Sequence, residues 1–190
     1  MLLAFVPCSA QSAARKQLTA LRAVAPISID GVLDEGPWLA APVSNGLIQY
    51  EPRPNVPASK DTEVRVLFDD GAVYIGAHLL DPRVDSLMFR LWQRDDVDIG
   101  DWFDIVIDPY RSGRNGFEYL VSAANVQTDM IVAEDEEDVA WDAVWESAVG
   151  LTPTGWIVEV KIPFSAIRFP NTPVQTWGIN FVRHVGRTRE

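Results

Sequence analysis

Short runs of alternating apolar and polar residues, separated by turn residues, most constrain the fold of this chain. Glu63 to Phe68 alternates, Asp69-Asp70-Gly71 has the composition of a turn, and Ala72 to Leu80 continues as a second arm. A period of two indicates strands, and such a turn between two strands predicts a hairpin. No segment has a long 3.6-residue period. The pattern predicts an all-β fold, an antiparallel β-sandwich of jelly-roll or immunoglobulin-like type, built from short strands.

The other predicted strands follow the same pattern. They are Asp101 to Asp108, paired with Phe117 to Ser122; Trp145 to Leu151, paired with Trp156 to Ile162; and Trp177 to Arg183. One helical turn is expected at Ser165 to Phe169, after Pro163. Four of the tryptophans are expected in the core, namely Trp38, Trp145, Trp156 and Trp177.

Length and charge limit the classes of function. The chain has 190 residues, of which 47% are hydrophobic, so one domain with a sizeable core is expected. Its net charge of -11 opposes binding to nucleic acid or to anionic membrane surfaces. A neutral ligand, or one bound through a cation, fits this charge better.

The N-terminal segment resembles the end of a secretory leader. Residues 1–10 contain an apolar run, and Cys8-Ser9-Ala10 has the small residues of a cleavage site. We expect a leader remnant at 1–10, a polar connector at 11–25 and the sandwich at 26–190, with truncation of the sandwich at its C-terminus left open. Export to the periplasm, the outer membrane or the cell exterior is then expected. The alternative is an unstructured start of a cytosolic protein.

The strand from Asp101 to Asp108 carries the strongest functional signal. Alternation places Phe103, Ile105 and Ile107 on one face and Trp102 with Asp104 on the other. An indole offers an apolar plane and a carboxylate accepts hydrogen bonds from hydroxyls, and a sugar needs both from its receptor. The alternative is a strand that passes under a loop, with the indole covering the sheet.

Several motifs occur in the order found in one known family. They are Ile29-Asp-Gly-Val-Leu-Asp-Glu35 with Trp38; Thr62 to Gly76; Asp101 to Asp108; Phe117 to Gln127; Trp141-Asp-Ala-Val-Trp-Glu146; Gly155 to Pro163; and Trp177-Gly-Ile-Asn-Phe181. Together they resemble the family 9 carbohydrate-binding modules. They look most like the family 9-like domain at the N-terminus of large bacterial outer-membrane proteins of uncertain function.

The resemblance implies a β-sandwich that binds sugars between two tryptophans, with structural calcium in some members. Asp104 matches the acidic residue that contacts sugar in the family. The position of the first platform tryptophan is Asp98 here, and Trp102 could replace it. The family's arginine on the next strand matches Leu120. The segment with the second platform tryptophan would lie beyond Glu190.

Further side chains are candidates for the sugar site or for a metal. Trp92, Arg94 and Gln127 would line the cleft, and Trp141 at a loop edge is a weaker candidate; each could instead be a packing or loop residue. Asp96, Asp98 and Asp101 offer three carboxylates for a hard cation, so Ca²⁺ is a possible cofactor. Their spacing does not match an EF-hand. The acidic run at 134–138 has the composition of a solvated loop.

These observations lead to three hypotheses for function. The first is a non-catalytic carbohydrate-binding module of an exported bacterial protein, serving carbohydrate catabolism, with a mono- or oligosaccharide as partner. The second is a structural or interaction domain that caps an outer-membrane β-barrel encoded downstream. The third is part of a glycoside hydrolase. Catalysis by this domain alone is not expected, because Asp104 and Asp108 would lie about 13 Å apart on one strand, farther than the roughly 5 to 9.5 Å between glycosidase carboxyls.

Overall fold

Two five-stranded sheets packed face to face form the fold. The structure is a computed structural model and describes residues 16–89, 91, 100–133 and 136–190. The first sheet has the order β1-β2-β3-β9-β8 and the second has the order β10-β4-β5-β6-β7. The elements are β1 Leu21–Arg22, α1 Gly36–Ala40, β2 Thr62–Phe68, β3 Ala72–Leu80, β4 Trp102–Asp108, β5 Asn115–Ser122, β6 Gln127–Ala133, β7 Glu136–Asp138, β8 Glu146–Thr152, β9 Gly155–Pro163 and β10 Gly178–His184. Apart from the parallel pair of β1 and β2, the strands pair antiparallel. The predicted antiparallel sandwich is confirmed.

The hairpin of β2 and β3 forms where the sequence predicts it. The Asp69 carboxylate accepts hydrogen bonds from the backbone N–H groups of Gly71 (2.7 Å) and Ala72 (2.8 Å) and from the Tyr74 hydroxyl (2.7 Å). An aspartate that binds the backbone two residues ahead favours a tight turn. The turn therefore fixes the register in which Phe68 lies opposite Val73.

The core lies between the two sheets and consists of the alternate residues that the strand pattern assigns to one face. Phe103, Ile105 and Ile107 of β4 are fully buried and pack in one cluster with Val158 and Val160 of β9. Burying side chains of this size stabilises a fold by roughly 1.5–3 kcal/mol each. Of the tryptophans expected in the core, Trp38, Trp145 and Trp156 are buried, and Trp177 packs against the cluster while partly exposed.

The outer face of the first sheet is covered by the segment 27–41. Trp38 lies on Gly76 of β3, where an added Cβ would approach the indole to 3.1 Å. Ile27, Ile29 and Leu33 pack in the same cluster. The segment is held by Glu159 of β9, which is fully buried and accepts hydrogen bonds from Gly31 N (2.7 Å) and Trp38 Nε1 (2.9 Å).

Some elements differ from the sequence-based expectations. Within the connector expected at 11–25, Leu21–Arg22 pair with β2, so order begins before Pro26. The short helix α1 and the strands β6 and β7 were not anticipated. The expected turn after Pro163 is a 3₁₀ turn at Phe164–Ala166. Residues 1–10, with the expected leader, lie outside the described residues.

Candidate functional site

Strand β4 presents its two faces as the alternation predicts. Phe103, Ile105 and Ile107 point into the core and are 0% exposed. Trp102 and Asp104 project from the opposite face of the second sheet, where Trp102 is half-buried and Asp104 is buried. The face that carries the indole is therefore the outer face of this sheet.

Trp102 stacks on an imidazole from the edge strand. His184 of β10 lies opposite Trp102 in the register, and the two ring centroids are 5.0 Å apart with an interplanar angle of 22°. Burial lowers the pKa of His184, while the nearby Asp101 carboxylate acts to raise it. The neutral imidazole is thus the favoured form near pH 7, and it stacks on one face of the Trp102 indole without adding charge.

Asp104 shares its surroundings with a second carboxyl. Burial and the negative charge of Glu118 raise the pKa of Asp104, and burial and Glu137 raise the pKa of Glu118. Asp104 and Glu118 are hydrogen-bonded, which requires a proton on one of them. The Oδ1 atom of Asp104 is buried and has no hydrogen-bond partner. Asp104 and Glu118 therefore share a proton, and one oxygen of Asp104 is unpartnered.

A cavity of about 1490 Å³ runs along β10, with the stacked pair in one wall. The loop that follows residue 44 also lines the cavity and contributes Gln49 and Tyr50. Gln49 is buried and its Oε1 has no partner, and neither has Nε2 of His184. Tyr50 is largely exposed. The cavity thus combines aromatic surface with amide and imidazole groups.

A buried ion cluster supports the end of this cavity. Arg187 Nη2 donates to both oxygens of Asp81, at 2.7 and 2.6 Å. Arg183 donates to the carbonyl oxygens of Asp61 (3.0 Å) and Leu80 (3.1 Å), and burial lowers its pKa to about 10. Removing one partner of such a buried cluster is costly, because a charge is left without compensation. These contacts fix the chain after β10 against the end of β3.

The structure does not bring Gln127 and Trp141 together with Trp102. Gln127 lies on the core-facing side of the second sheet, and its Nε2 donates to Ser147 Oγ of β8 at 3.0 Å. Trp141 packs against Phe117, with ring centroids 5.3 Å apart. Trp102, Gln127 and Trp141, which the sequence predicts in one site, therefore lie on opposite sides of the second sheet.

Trp141 lines a second cavity, of about 580 Å³, at the other side of the sheet. The segment that follows it is fixed by Asp129, which is fully buried and accepts hydrogen bonds from Ala143 N (2.6 Å) and Trp145 Nε1 (3.0 Å). Trp145 meets Tyr119 edge-on at 5.3 Å. This arrangement holds Trp141 at the edge of the core.

Of the remaining predicted site residues, the structure describes only Asp101. Trp92, Arg94, Asp96 and Asp98 lie outside the described residues, so their assignments stay predictions. Asp101 is buried and accepts a hydrogen bond from Met88 N at 2.7 Å, while its Oδ1 has no partner. Among the described residues, no group of three or more histidines, cysteines or carboxylates is arranged to hold a metal ion. None of the described helices has the length and apolar character needed to cross a membrane.

Sequence reasoning missed His184, Gln49 and Tyr50 as parts of the site. His184 meets Trp102 only because β10 pairs with β4, a pairing between segments far apart in sequence. The loop with Gln49 and Tyr50 has no strand periodicity. An isolated tyrosine beside a glutamine is not a local signal for binding, so only the packing identifies these residues.

The comparisons with known proteins agree with the fold. The family model described as "Carbohydrate family 9 binding domain-like" matches residues 29–184. No curated protein matches the sequence.

Among solved structures, a family 9 carbohydrate-binding module from Caldicellulosiruptor kristjanssonii in complex with cellotriose is similar, with 19% identity and a TM-score of 0.60. It matches over 89% of this chain and 77% of its own. The glucose complex of a family 9 module from the same organism has 20% identity and a TM-score of 0.63, over 91% and 82% of the two chains. A carbohydrate-binding candidate from Bacteroides uniformis has 11% identity and a TM-score of 0.67, over 90% and 84%. At these identities the likeness concerns the fold.

Proposed function

We propose, from the premise that this chain belongs to the carbohydrate family 9 binding domain-like family, that it is a non-catalytic carbohydrate-binding module. The match to the family covers residues 29–184, which includes both sheets apart from β1. Two structural neighbours were solved with cellotriose and with glucose. A glucose-type mono- or oligosaccharide is therefore the ligand class proposed here.

The observation that carries this proposal is the stacked pair of Trp102 and His184 in the wall of the larger cavity. A pyranose ring presents an apolar face of C–H groups and a rim of hydroxyls. The indole supplies the apolar surface, and amide and imidazole groups in the same cavity supply donors and acceptors. The cavity volume of about 1490 Å³ leaves room for more than one sugar unit.

Buried polar groups without partners support the proposal, and two of them, on Gln49 and His184, belong to residues that line the cavity. Asp104 lies two residues from Trp102 on the same face, about 6.6 Å along the strand. Its Oδ1, the Oε1 of Gln49 and the Nε2 of His184 are all buried and unpartnered. Each such group costs roughly 1–3 kcal/mol in a folded protein. Small rotations toward a bound hydroxyl would recover part of that energy, because a sugar offers both donors and acceptors.

The proposed cellular role follows from the leader-like residues 1–10 and from the family. We place the module in an exported bacterial protein that serves carbohydrate catabolism. The net charge of -11 is compatible with a neutral sugar as ligand. Binding through one aromatic surface and a few hydrogen bonds is expected to be weak, in the micromolar to millimolar range, after the cost of ordering is subtracted.

Titration calorimetry of the purified chain against glucose, cellobiose, cellotriose and xylose tests the proposal. The Trp102→Ala variant should lose affinity by about tenfold or more, equivalent to about 1.4 kcal/mol. Val174→Ala is the matched control, because Val174 is an exposed apolar residue that lines neither cavity. Absence of heat with every sugar, with and without calcium, would contradict the proposed function. Equal affinity of wild type and Trp102→Ala would contradict the assignment of the site.

A further inference from the structure

We propose that the cleft at Trp141 is a second carbohydrate-binding site, separate from the cavity at Trp102. The smaller cavity, of about 580 Å³, is an open cleft between the β4–β5 loop, the segment that carries Trp141 and the 3₁₀ turn after β9. This volume lies within the roughly 300–1,000 Å³ typical of small-molecule sites. The lining residues of the two cavities do not overlap.

Three aromatic rings line this cleft, those of Tyr110, Phe117 and Trp141. Tyr110 at the end of β4 is 61% exposed, and Trp141 is half-buried. One side of Trp141 contacts Phe117 and Tyr119 of the core, at centroid distances of 5.3 and 5.9 Å. Exposed tyrosine and tryptophan side chains combine an apolar surface with a polar group, which suits the face of a pyranose ring.

Hydrogen bonds hold the backbone beside Tyr110 and the segment that follows Trp141. The Asp108 carboxylate accepts hydrogen bonds from Tyr110 N (3.2 Å) and Gly113 N (2.7 Å), which orders the β4–β5 loop. On the other wall, buried Asp129 accepts hydrogen bonds from Ala143 N and Trp145 Nε1. A site whose walls are ordered before binding loses less entropy when a ligand arrives.

The polar lining indicates a neutral, hydroxyl-rich ligand. Asn115, Asp142, Ser165 and Arg168 are exposed and line the cleft. Arg168 only donates hydrogen bonds, Asp142 only accepts them, and Asn115 and Ser165 do both. Because the lining carries one positive and one negative side chain, it has no charge preference. A sugar has donors and acceptors at each hydroxyl, which matches a lining that both donates and accepts hydrogen bonds.

The test is an NMR titration of the indole N–H signals of the full chain with cellobiose as the probe. Wild type and Trp102→Ala should both show a shift of the Trp141 signal that saturates with sugar. Tyr110→Ala and Arg168→Ala alter exposed side chains, so both variants should fold. Each should weaken the effect at Trp141 by about fivefold or more and leave the effect at Trp102 unchanged. Trp141→Phe assigns the signal, and Val174→Ala is the control.

The outcomes separate this proposal from the function proposed above. A shift at Trp102 with none at Trp141 would overturn the second site and leave the first intact. A shift at Trp141 that persists in Trp102→Ala supports the second site even if the first fails. A response of Trp141 to cellobiose that Tyr110→Ala and Arg168→Ala both leave unchanged would also overturn the proposal.

Discussion

Two buried carboxyls, one on the outer face of each sheet, have opposite surroundings. Glu159 on the first sheet accepts hydrogen bonds from the backbone N–H groups of Asp30, Gly31 and Val32 and from the Trp38 indole. Asp104 on the second sheet lies beside another carboxyl and has an oxygen without a partner. Both are 4% exposed or less. Burial raises the pKa of both carboxyls, and the clear difference lies in their hydrogen-bond partners.

The difference separates a structural carboxylate from a candidate functional one. Glu159 holds the segment that begins at Ile29 against the first sheet. The family motif in this segment therefore has a structural role. A buried polar group that lacks partners is costly, and one that lies near a cavity is a candidate for contact with a ligand. Asp104 lies two residues from Trp102, which lines the larger cavity, although Asp104 itself does not line it. The second sheet is therefore the better candidate for ligand contact.

The largest expected effect is the loss of stability in Glu159→Ala. The substitution leaves the buried N–H groups of Gly31 and Trp38 without an acceptor, so the free energy of unfolding should fall by about 3 kcal/mol or more. Urea denaturation followed by tryptophan fluorescence measures it. Glu159→Gln should lose less, because an amide oxygen still accepts. A loss below about 1 kcal/mol in Glu159→Ala would contradict the structural role.

The Asp104→Asn substitution is expected to raise the free energy of unfolding, by less than Glu159→Ala lowers it. Burial and Glu118 raise the pKa of Asp104 in the folded protein above its unfolded value near 4. The protonated Asp104 therefore contributes stability below pH 4, and this contribution is lost as the pH rises through the folded pKa of Asp104. The variant should therefore be more stable than wild type at pH 7, with the difference shrinking toward pH 4. Urea unfolding at several pH values measures this difference.

The matched control for this pH series is Asp85→Asn, because Asp85 is exposed. Its difference from wild type should stay small at every pH. If Asp104→Asn instead destabilises the protein at pH 7, the Asp104 carboxylate is well satisfied in the fold, and the contrast with Glu159 fails.

The sequence predicts features that depend on near neighbours along the chain. The alternation in β4 places Trp102 and Phe103 on opposite faces, and Asp69 predicts its turn, because both patterns are local. The indole of Trp102 finds His184 through a pairing of distant strands. Likewise, Gln127 meets Ser147 of the other sheet, which separates it from the site in which it was expected. Such contacts depend on how the sheets pack, and no local pattern encodes them.

A map of backbone amide shifts during titration of the labelled protein with glucose tests most directly whether the sugar binds at the second sheet. We expect the shifts to concentrate on the second sheet, at Trp102, His184 and Asn180, which all line the larger cavity, and the segment 27–41 over the first sheet to stay unchanged. Shifts that concentrate on segment 27–41 and spare Trp102 and His184 would contradict this expectation.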